Sequence, residues 1–96
     1  MVRWTLPAKK DLRKIHDYIA VDSKFYAKRV VENIVEKTEK LTDQPEMGRV
    51  VPELNDPGIR ELIVYSYRLV YMVKDNHVEI LAVIHGKRDF VQTYGT

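Results

Sequence analysis

The residues that could do chemistry lie in the last third of the chain, where basic side chains interrupt otherwise apolar runs. Arg60 and Arg68 stand among valines, isoleucines and tyrosines, and a basic group of His85, Lys87 and Arg88 follows the last of these runs. An arginine within a strand is costly unless an anionic or acidic group meets it. The pattern therefore predicts a binding or catalytic surface in this segment rather than packing alone.

A β-hairpin is predicted to position these side chains, because Asp75-Asn76 separates two apolar runs at 67–74 and 77–85 and is typical of a two-residue turn. That turn sets the register of one apolar face: Val73 pairs with Val78, Tyr71 with Ile80, Leu69 with Ala82 and Tyr67 with Ile84. On the other face Arg68 pairs with Val83 and has His85 as a diagonal neighbour. An ion pair between Arg68 and Glu79 is the purely structural alternative.

Two helices are predicted ahead of the hairpin. After a first strand at 2–6, Pro7 suits the first position of a helix whose apolar residues recur at Leu12, Ile15 and Ile19. Asp22 or Ser23 can cap a second helix. Its apolar stripe, at helical spacing, consists of Ala27, Val30, Ile34 and Leu41. Joined by two or three residues, the helices form a helical hairpin that needs a sheet to lie on.

The remaining segments complete an α+β fold of order β-α-α-β-β-β. Residues 42–58 contain three prolines and two glycines and are predicted to be a loop across one end of the domain. The next strand, at 59–65, has apolar residues at both its odd and its even positions. The pattern therefore does not determine its register or which of its side chains share a face with Arg68. The expected architecture is a helical hairpin on an antiparallel sheet of about four strands. Since only two layers are present, the face with Arg68 is predicted to be uncovered and to bind a partner.

Composition narrows the class of protein. The 96 residues predict a single domain over 1–96. The chain contains no cysteine and three scattered histidines, so neither a disulfide nor a metal site nor a cofactor is expected. No apolar run reaches the length of a membrane span, and the N-terminus lacks a signal-peptide core, which is compatible with the cytoplasm. A net charge of +2 is too small to predict nucleic-acid binding, although Lys10 and Arg13 belong to a basic run.

Several short motifs in a fixed order carry a resemblance to a known family. In the N-terminal half they are Ala8, Asp11-Leu12, Ile15, Tyr18-Ile19, Pro45, Gly48-Arg49 and Pro52-Glu53. In the C-terminal half they are Arg60-Glu61-Leu62, the YRLVY run from Tyr67 and the HGKRD run from His85. Together they resemble the toxins of the RelE/ParE superfamily of type II toxin–antitoxin modules, and the N-terminal half resembles the ParE branch. The resemblance implies a growth inhibitor of a plasmid-stabilisation type, neutralised by a cognate antitoxin in a hetero-oligomer.

The resemblance leaves two mechanisms open. A RelE-like toxin cleaves mRNA on the ribosome. By motif, Arg68 and Arg88 match the catalytic arginines of that branch, and Tyr94 matches its catalytic tyrosine. His85 is a further residue that could transfer a proton. However, Glu61 and Ile59 stand where the RelE pattern has two lysines, and an acidic side chain repels phosphate.

A ParE-like toxin inhibits DNA gyrase without doing chemistry itself, and this branch is favoured. Binding would then involve six basic residues: Lys10, Arg13, Arg60, Arg68, Lys87 and Arg88. A third interpretation, a non-toxic nucleic-acid-binding domain, lacks the aromatic pattern of an RNA-recognition motif and a strong basic stripe.

Overall fold

The structure is a computed structural model that describes residues 1–85. Its elements are β1 at Val2–Trp4, α1 at Leu6–Ala20, α2 at Lys24–Glu39 with a 3-10 turn at Lys40–Thr42, β2 at Arg49–Val50, β3 at Ile59–Val64, β4 at Tyr67–Val73 and β5 at Val78–His85. The predicted order of elements is confirmed, and the two-residue β2 is added within the proline-rich loop. Neither helix of the described residues is long and apolar enough to cross a membrane.

The five strands of residues 1–85 form one mixed sheet in the order β1-β5-β4-β3-β2. The prediction of an antiparallel sheet holds for β2 to β5, whereas β1 runs parallel to β5 and pairs Val2 with Val78 and Trp4 with Ile80. Both the backbone N–H and the hydroxyl of Thr5 donate to the Ile80 carbonyl, at 3.1 and 2.8 Å. Thr5 therefore fixes the end of β1 against β5, just before α1 begins.

Each helix begins at a capping side chain. The hydroxyl of Thr5 accepts from the N–H of Ala8, and Pro7 lies in the first turn, where its missing N–H leaves no helical bond unmade. Ser23, one of the two predicted candidates, caps α2 by accepting from the N–H of Tyr26 at 3.0 Å. The buried stripe of α2 then faces the sheet and consists of Ala27, Val30, Ile34 and Thr38. The caps and stripes explain why these two segments form a helical hairpin on the sheet.

The hairpin of β4 and β5 has the predicted turn but not the predicted register throughout. The N–H of Lys74 donates to the carbonyl of His77 at 2.8 Å, and the pairs nearest the turn are those expected. A β-bulge opposite Val70 and Tyr71 then places the extra residue Leu81 in β5. Beyond it the pairs are Leu69 with Val83, Arg68 with Ile84 and Tyr67 with His85, so the predicted partners Ala82, Val83 and Ile84 for these three residues were wrong.

Because of the bulge, the side chains at the end of β5 point to the opposite faces of the sheet from those predicted. Val83 joins the core under the helices, whereas Ala82 and Ile84 turn to the opposite face. Alternation cannot reveal such a shift here, because every residue from Ile80 to Ile84 is apolar. Asp11 of α1 supports the bulge, since its carboxylate accepts from the N–H of Val83 at 3.0 Å.

The second face of the sheet is covered, which corrects the prediction that it lacks intramolecular cover. Val51 and Leu54, from the segment between β2 and β3, pack with Ile59 against Val70, Ala82 and Ile84. Val51 is fully buried. The segment therefore folds back over the sheet instead of only crossing one end, because its apolar side chains have a strip of sheet to bury.

Candidate functional site

Arg68 lies in a buried ionic cluster on the face covered by this segment. Its side chain is only 3% exposed. The Nε atom donates to Glu61 at 2.8 Å, and Nη2 also contacts the same carboxylate oxygen. Nη1 and Nη2 donate to the two oxygens of Glu53 at 2.8 and 2.9 Å. Every nitrogen of the Arg68 guanidinium group therefore donates to a carboxylate.

Glu61 is the centre of this cluster. Its neighbours in register are Val70 on β4 and Arg49 on β2, which places Glu61 on the face of Arg68 and settles the register that the sequence left open. The second oxygen of Glu61 accepts from Nε of Arg49 at 2.6 Å. We call Arg49, Glu53, Glu61 and Arg68 the ion cluster; its two positive and two negative charges cancel.

Charge and burial act in opposite directions on these side chains. Hydrogen bonds to Glu53 and Glu61 hold the pKa of Arg68 above its usual value, although burial lowers it. The same hydrogen bonds from Arg68 lower the pKa of Glu53 from 4.5 to about 2. Arg68 is therefore charged at every physiological pH, and its charge is already neutralised within the protein.

Arg60 lies on the opposite face from Arg68, across from Tyr71 in the register. Its Nη1 donates to the carbonyl of Gly48 at 2.9 Å, and its buried Nε has no partner among the described residues. The Tyr71 hydroxyl accepts from the N–H of Gly48 at 2.9 Å and donates to the carbonyl of Pro45 at 2.8 Å. Arg60 and Tyr71 thus hold the loop before β2 against the sheet.

His85 is not brought together with Arg68, and the prediction that the two are neighbours on one face was wrong. The bulge turns His85 towards the helical side, where its ring lies 5.3 Å from that of Tyr67. With Lys14 and Tyr18 it lines a cleft of about 400 Å³. The expected alternative partner of Arg68, Glu79, instead contacts Nε2 of His77 at 3.1 Å.

The other predicted site residues lie apart from the ion cluster. Lys10 and Arg13 are exposed on α1. Arg13 lines a groove of about 640 Å³ bounded by α1, α2 and Trp4 of β1. Lys87, Arg88 and Tyr94 lie outside the described residues. The structure therefore places Arg68 among carboxylates, and Lys10 and Arg13 on the exposed side of α1.

Comparison with known proteins shows the family of this chain. A family profile described as the ParE toxin of the type II toxin–antitoxin system parDE matches residues 2–90. The chain belongs to the ParE toxin family. It is 35% identical to "Toxin RelE2" of Caulobacter vibrioides over 88 residues, which cover 91% of this chain and 96% of the relative.

Solved structures agree with this assignment. The toxin superposes on a chain of the chromosomal ParDE system of P. aeruginosa with a TM-score of 0.74 and 27% identity, covering 90% of this chain and 95% of that one. It also superposes on a chain of the RelBE2 toxin–antitoxin complex of Mycobacterium tuberculosis with a TM-score of 0.66 and 27% identity, covering 88% and 95%. The chain is thus a type II toxin of the RelE/ParE superfamily with its α+β fold.

Three members of the ion cluster, Arg49, Glu53 and Glu61, were absent from the residues predicted for the toxin's site. A signal for them was present, because an arginine within a strand requires an acidic partner and the segment 42–58 is rich in acidic residues. Glu53 and Arg68 are 15 residues apart in the sequence. Neither the helical nor the strand periodicity of the sequence could identify them as a pair.

Proposed function

We propose that this toxin arrests growth by binding DNA gyrase and does not cleave mRNA. The observation that carries the proposal is the neutralised state of Arg68 in the ion cluster. A nuclease of the RelE type needs cationic groups directed at the scissile phosphate and the charge that develops on it. In this toxin the arginine at that position of the motif donates from all three of its nitrogens to Glu53 and Glu61.

Freeing Arg68 for a phosphate would be energetically costly. Breaking a buried ion pair costs roughly 3–5 kcal/mol because an uncompensated charge is left behind. An approaching phosphate would also meet the two carboxylates, which repel it. The position at which the nuclease pattern has a lysine is occupied by Glu61, whose side chain is fully buried. The geometry therefore favours a toxin that acts through its exposed surface.

The exposed basic side chains of α1 are the part of that surface which we assign to the target. Lys9, Lys10, Arg13 and Lys14 are all exposed. Together with Lys87 and Arg88 they would contact gyrase, and no chemistry by the toxin is required. Binding through solvated cations gives fast, salt-sensitive association.

A cognate antitoxin is the second partner in this proposal. The solved structures similar to this chain include a ParDE system and a RelBE2 toxin–antitoxin complex. By that similarity, the toxin forms a hetero-oligomer with a small antitoxin in the cytoplasm, and growth stops when the antitoxin is lost.

Ribosome-dependent mRNA cleavage by Arg68, Arg88, Tyr94 and His85 is the second candidate function. It is favoured by the 35% identity to a relative named Toxin RelE2. Structurally it requires Arg68 and His85 to act together, whereas they lie on opposite faces of the sheet.

The two candidates are separated by assaying the purified toxin in parallel on gyrase and on translating ribosomes. We expect inhibited supercoiling and intact mRNA. An Arg13→Glu variant should inhibit gyrase at least tenfold less, with Lys74→Glu, at the β4–β5 turn, as the control. Cleaved ribosomal mRNA that becomes intact with Arg88→Ala would overturn the proposal in favour of the nuclease.

A further inference from the structure

Four large apolar side chains are exposed at the tip of the helical hairpin, where α1 ends and α2 begins. Tyr18, Val21, Phe25 and Tyr26 are 77%, 84%, 72% and 52% exposed, and we call them the tip patch. Covering the three aromatic side chains would remove about 400 Å² from water, because each contributes roughly 150–250 Å² when it is fully exposed. Apolar patches of this size on a monomer are often functional.

The first turn of α2 is not optimised for the stability of the helix. Ser23 caps it, but the turn contains no acidic residue and places Phe25 and Tyr26 in water behind Lys24. The helix dipole favours acidic side chains at this end and disfavours a lysine, and aromatic residues have a lower helix propensity than glutamate. Exposed aromatic side chains at these positions therefore indicate a contact outside the fold.

The tip patch has the composition of an interface centre. Arg29 lies one turn from Phe25 on α2, and its guanidinium carbon is 6.0 Å from the centroid of the Phe25 ring. Both side chains are exposed. Aromatic residues and arginine are enriched in the parts of protein–protein interfaces that carry most of the binding energy. The patch is therefore suited to a protein partner.

A cleft of about 400 Å³ opens beside Tyr18, between α1 and the ends of β4 and β5. It is lined by Ile15, Tyr18, Tyr67, His85 and Lys14, and none of the carboxylates of residues 1–85 takes part in the lining. Strongly contributing side chains of a partner usually enter pockets of this kind. An apolar side chain fits the rings, and an acidic side chain next to it would meet Lys14.

The tip patch continues the basic surface of α1 that we assign to the target. Lys10, Lys14 and Tyr18 follow one another at intervals of four residues, which places them in one row along α1. Charged side chains at the rim of an interface mainly raise the rate of association, whereas buried aromatic side chains hold a complex together. Solvated lysines alone lack such an anchor, and Tyr18 lies where the row of lysines ends.

A second copy of the toxin suits this patch less well than an acidic partner does. Across a two-fold axis the surplus of cations near the patch would meet the same surplus on the other copy, and like charges repel. The patch alone also provides only about half of the roughly 800 Å² per partner that a stable interface buries. Four cations and two carboxylates lie within four residues of the patch: Lys14, Lys24, Lys28, Arg29, Asp17 and Asp22.

We propose that the tip patch anchors DNA gyrase. This inference rests on the proposed function, because it takes gyrase as the target. It divides the target-binding surface into two parts: the cations of α1 accelerate the approach, and the aromatic side chains of the tip patch keep the complex together. The complementary surface of gyrase is then acidic and presents an apolar side chain to the cleft beside Tyr18.

The experiment measures the association and dissociation of full-length toxin on immobilised gyrase. The Tyr18→Ser/Phe25→Ser variant should dissociate at least thirtyfold faster, with an association rate within about threefold of the wild type. Arg13→Glu should instead slow association, and its effect should shrink as added salt screens the charge. Inhibition of supercoiling should weaken in proportion to the loss of affinity.

The matched control is Leu6→Ser/Ile63→Ser, which removes two apolar side chains away from the tip that are 64% and 56% exposed. It should leave both rate constants within about threefold of the wild type. Melting temperatures near that of the wild type would show that both double variants are folded. A folded Tyr18→Ser/Phe25→Ser variant that leaves gyrase as slowly as the wild type would overturn the proposal.

Other occupants of the tip patch give different results. If Tyr18→Ser/Phe25→Ser binds gyrase normally but binds the antitoxin more weakly, the antitoxin covers the patch. If the same variant loses a self-association that sedimentation detects in the wild type, and still binds gyrase normally, the patch joins two toxins. Either result contradicts the proposal and leaves the proposed function intact. Wild-type toxin that binds no gyrase would instead contradict both.

Discussion

Arg68 and Glu61 are both buried, and Arg68 donates from two of its nitrogens to one oxygen of Glu61. The other oxygen of Glu61 accepts from Arg49, so this single carboxylate serves two arginines from two strands. Replacing both members of a buried pair can be nearly neutral, whereas replacing one leaves an unpaired charge. Glu61 is therefore the member of the ion cluster whose loss should cost most.

Glu61→Gln is expected to lower the free energy of unfolding by roughly 3–5 kcal/mol, because the buried charge of Arg68 loses its central partner. Urea unfolding followed by circular dichroism measures the change. Glu36→Gln, on the exposed side of α2, removes the same charge and should change stability by less than about 0.5 kcal/mol. Equal effects of the two substitutions would contradict the role given to Glu61.

Glu53 should make stability depend on acid pH. Its pKa is about 2 in the folded protein against 4.5 in the unfolded chain. A lowered folded-state pKa stabilises the fold fully above the unfolded value, and the contribution is lost as pH falls from about 5 to about 2. Because the side chain is partly exposed, we expect a loss of about 1 kcal/mol after allowing for solvent screening.

The measurement is unfolding of wild type and Glu53→Gln between pH 7 and pH 2. The wild type should be the more stable at pH 7, and the two should converge as Glu53 becomes protonated. A stability difference that stays constant over this range would show that the interaction with Arg68 does not lower the pKa of Glu53. An NMR titration of the Glu53 side chain gives the pKa directly.

A glycine is required at position 48 because this part of the backbone lies very close to β3 and to the side chain of Tyr71. A Cβ at this position would lie 2.7 Å from the hydroxyl of Tyr71 and 2.9 Å from the backbone carbon of Glu61. Gly48→Ala should therefore destabilise the toxin by about 2 kcal/mol or more, since β3 itself would have to move. At Gly58 the nearest atom, of Asp56, is 3.4 Å away, and Gly58→Ala should change the melting temperature little. Similar melting temperatures for both variants would contradict this packing.

Local signals made the helices and the turn predictable. Ser23 at a cap and Asp75-Asn76 at a turn act through their immediate neighbours, and the structure has both where the sequence indicated. The bulge at Leu81 was not predictable, because the apolar run around it fits either face of the sheet equally well. The ion cluster depends on residues far apart in the chain, and only the requirement that Arg68 find an acid pointed towards it.

Asp11 should be needed for the bulged register. Asp11→Ala leaves the N–H of Val83 without its carboxylate acceptor, and an unsatisfied buried donor costs about 1–3 kcal/mol. Hydrogen exchange at the Val83 amide should become faster as well, which urea unfolding alone would not show. Asp17→Ala is the control on the same helix, because Asp17 is exposed and bonded only to His16 among the described residues. Unchanged Val83 exchange in Asp11→Ala would contradict the assignment.

Removing the charges of Arg68 and its two carboxylate partners together should preserve toxicity, with the exposed Arg49 left in place. The variant Glu53→Gln/Glu61→Met/Arg68→Met removes Arg68 together with both of its carboxylate partners. Replacing buried ion pairs by apolar residues of similar size is often neutral or stabilising. A gyrase inhibitor that binds through α1 should then still arrest growth, since Lys10 and Arg13 are untouched. Loss of a catalytic Arg68 would instead lower the rate of mRNA cleavage by roughly a hundredfold or more. The assay is growth after induction, with Arg68→Ala as the comparison that leaves Glu61 buried with Arg49 as its remaining partner in the ion cluster. A folded triple variant, shown by its melting curve, that no longer arrests growth would contradict the binding mechanism.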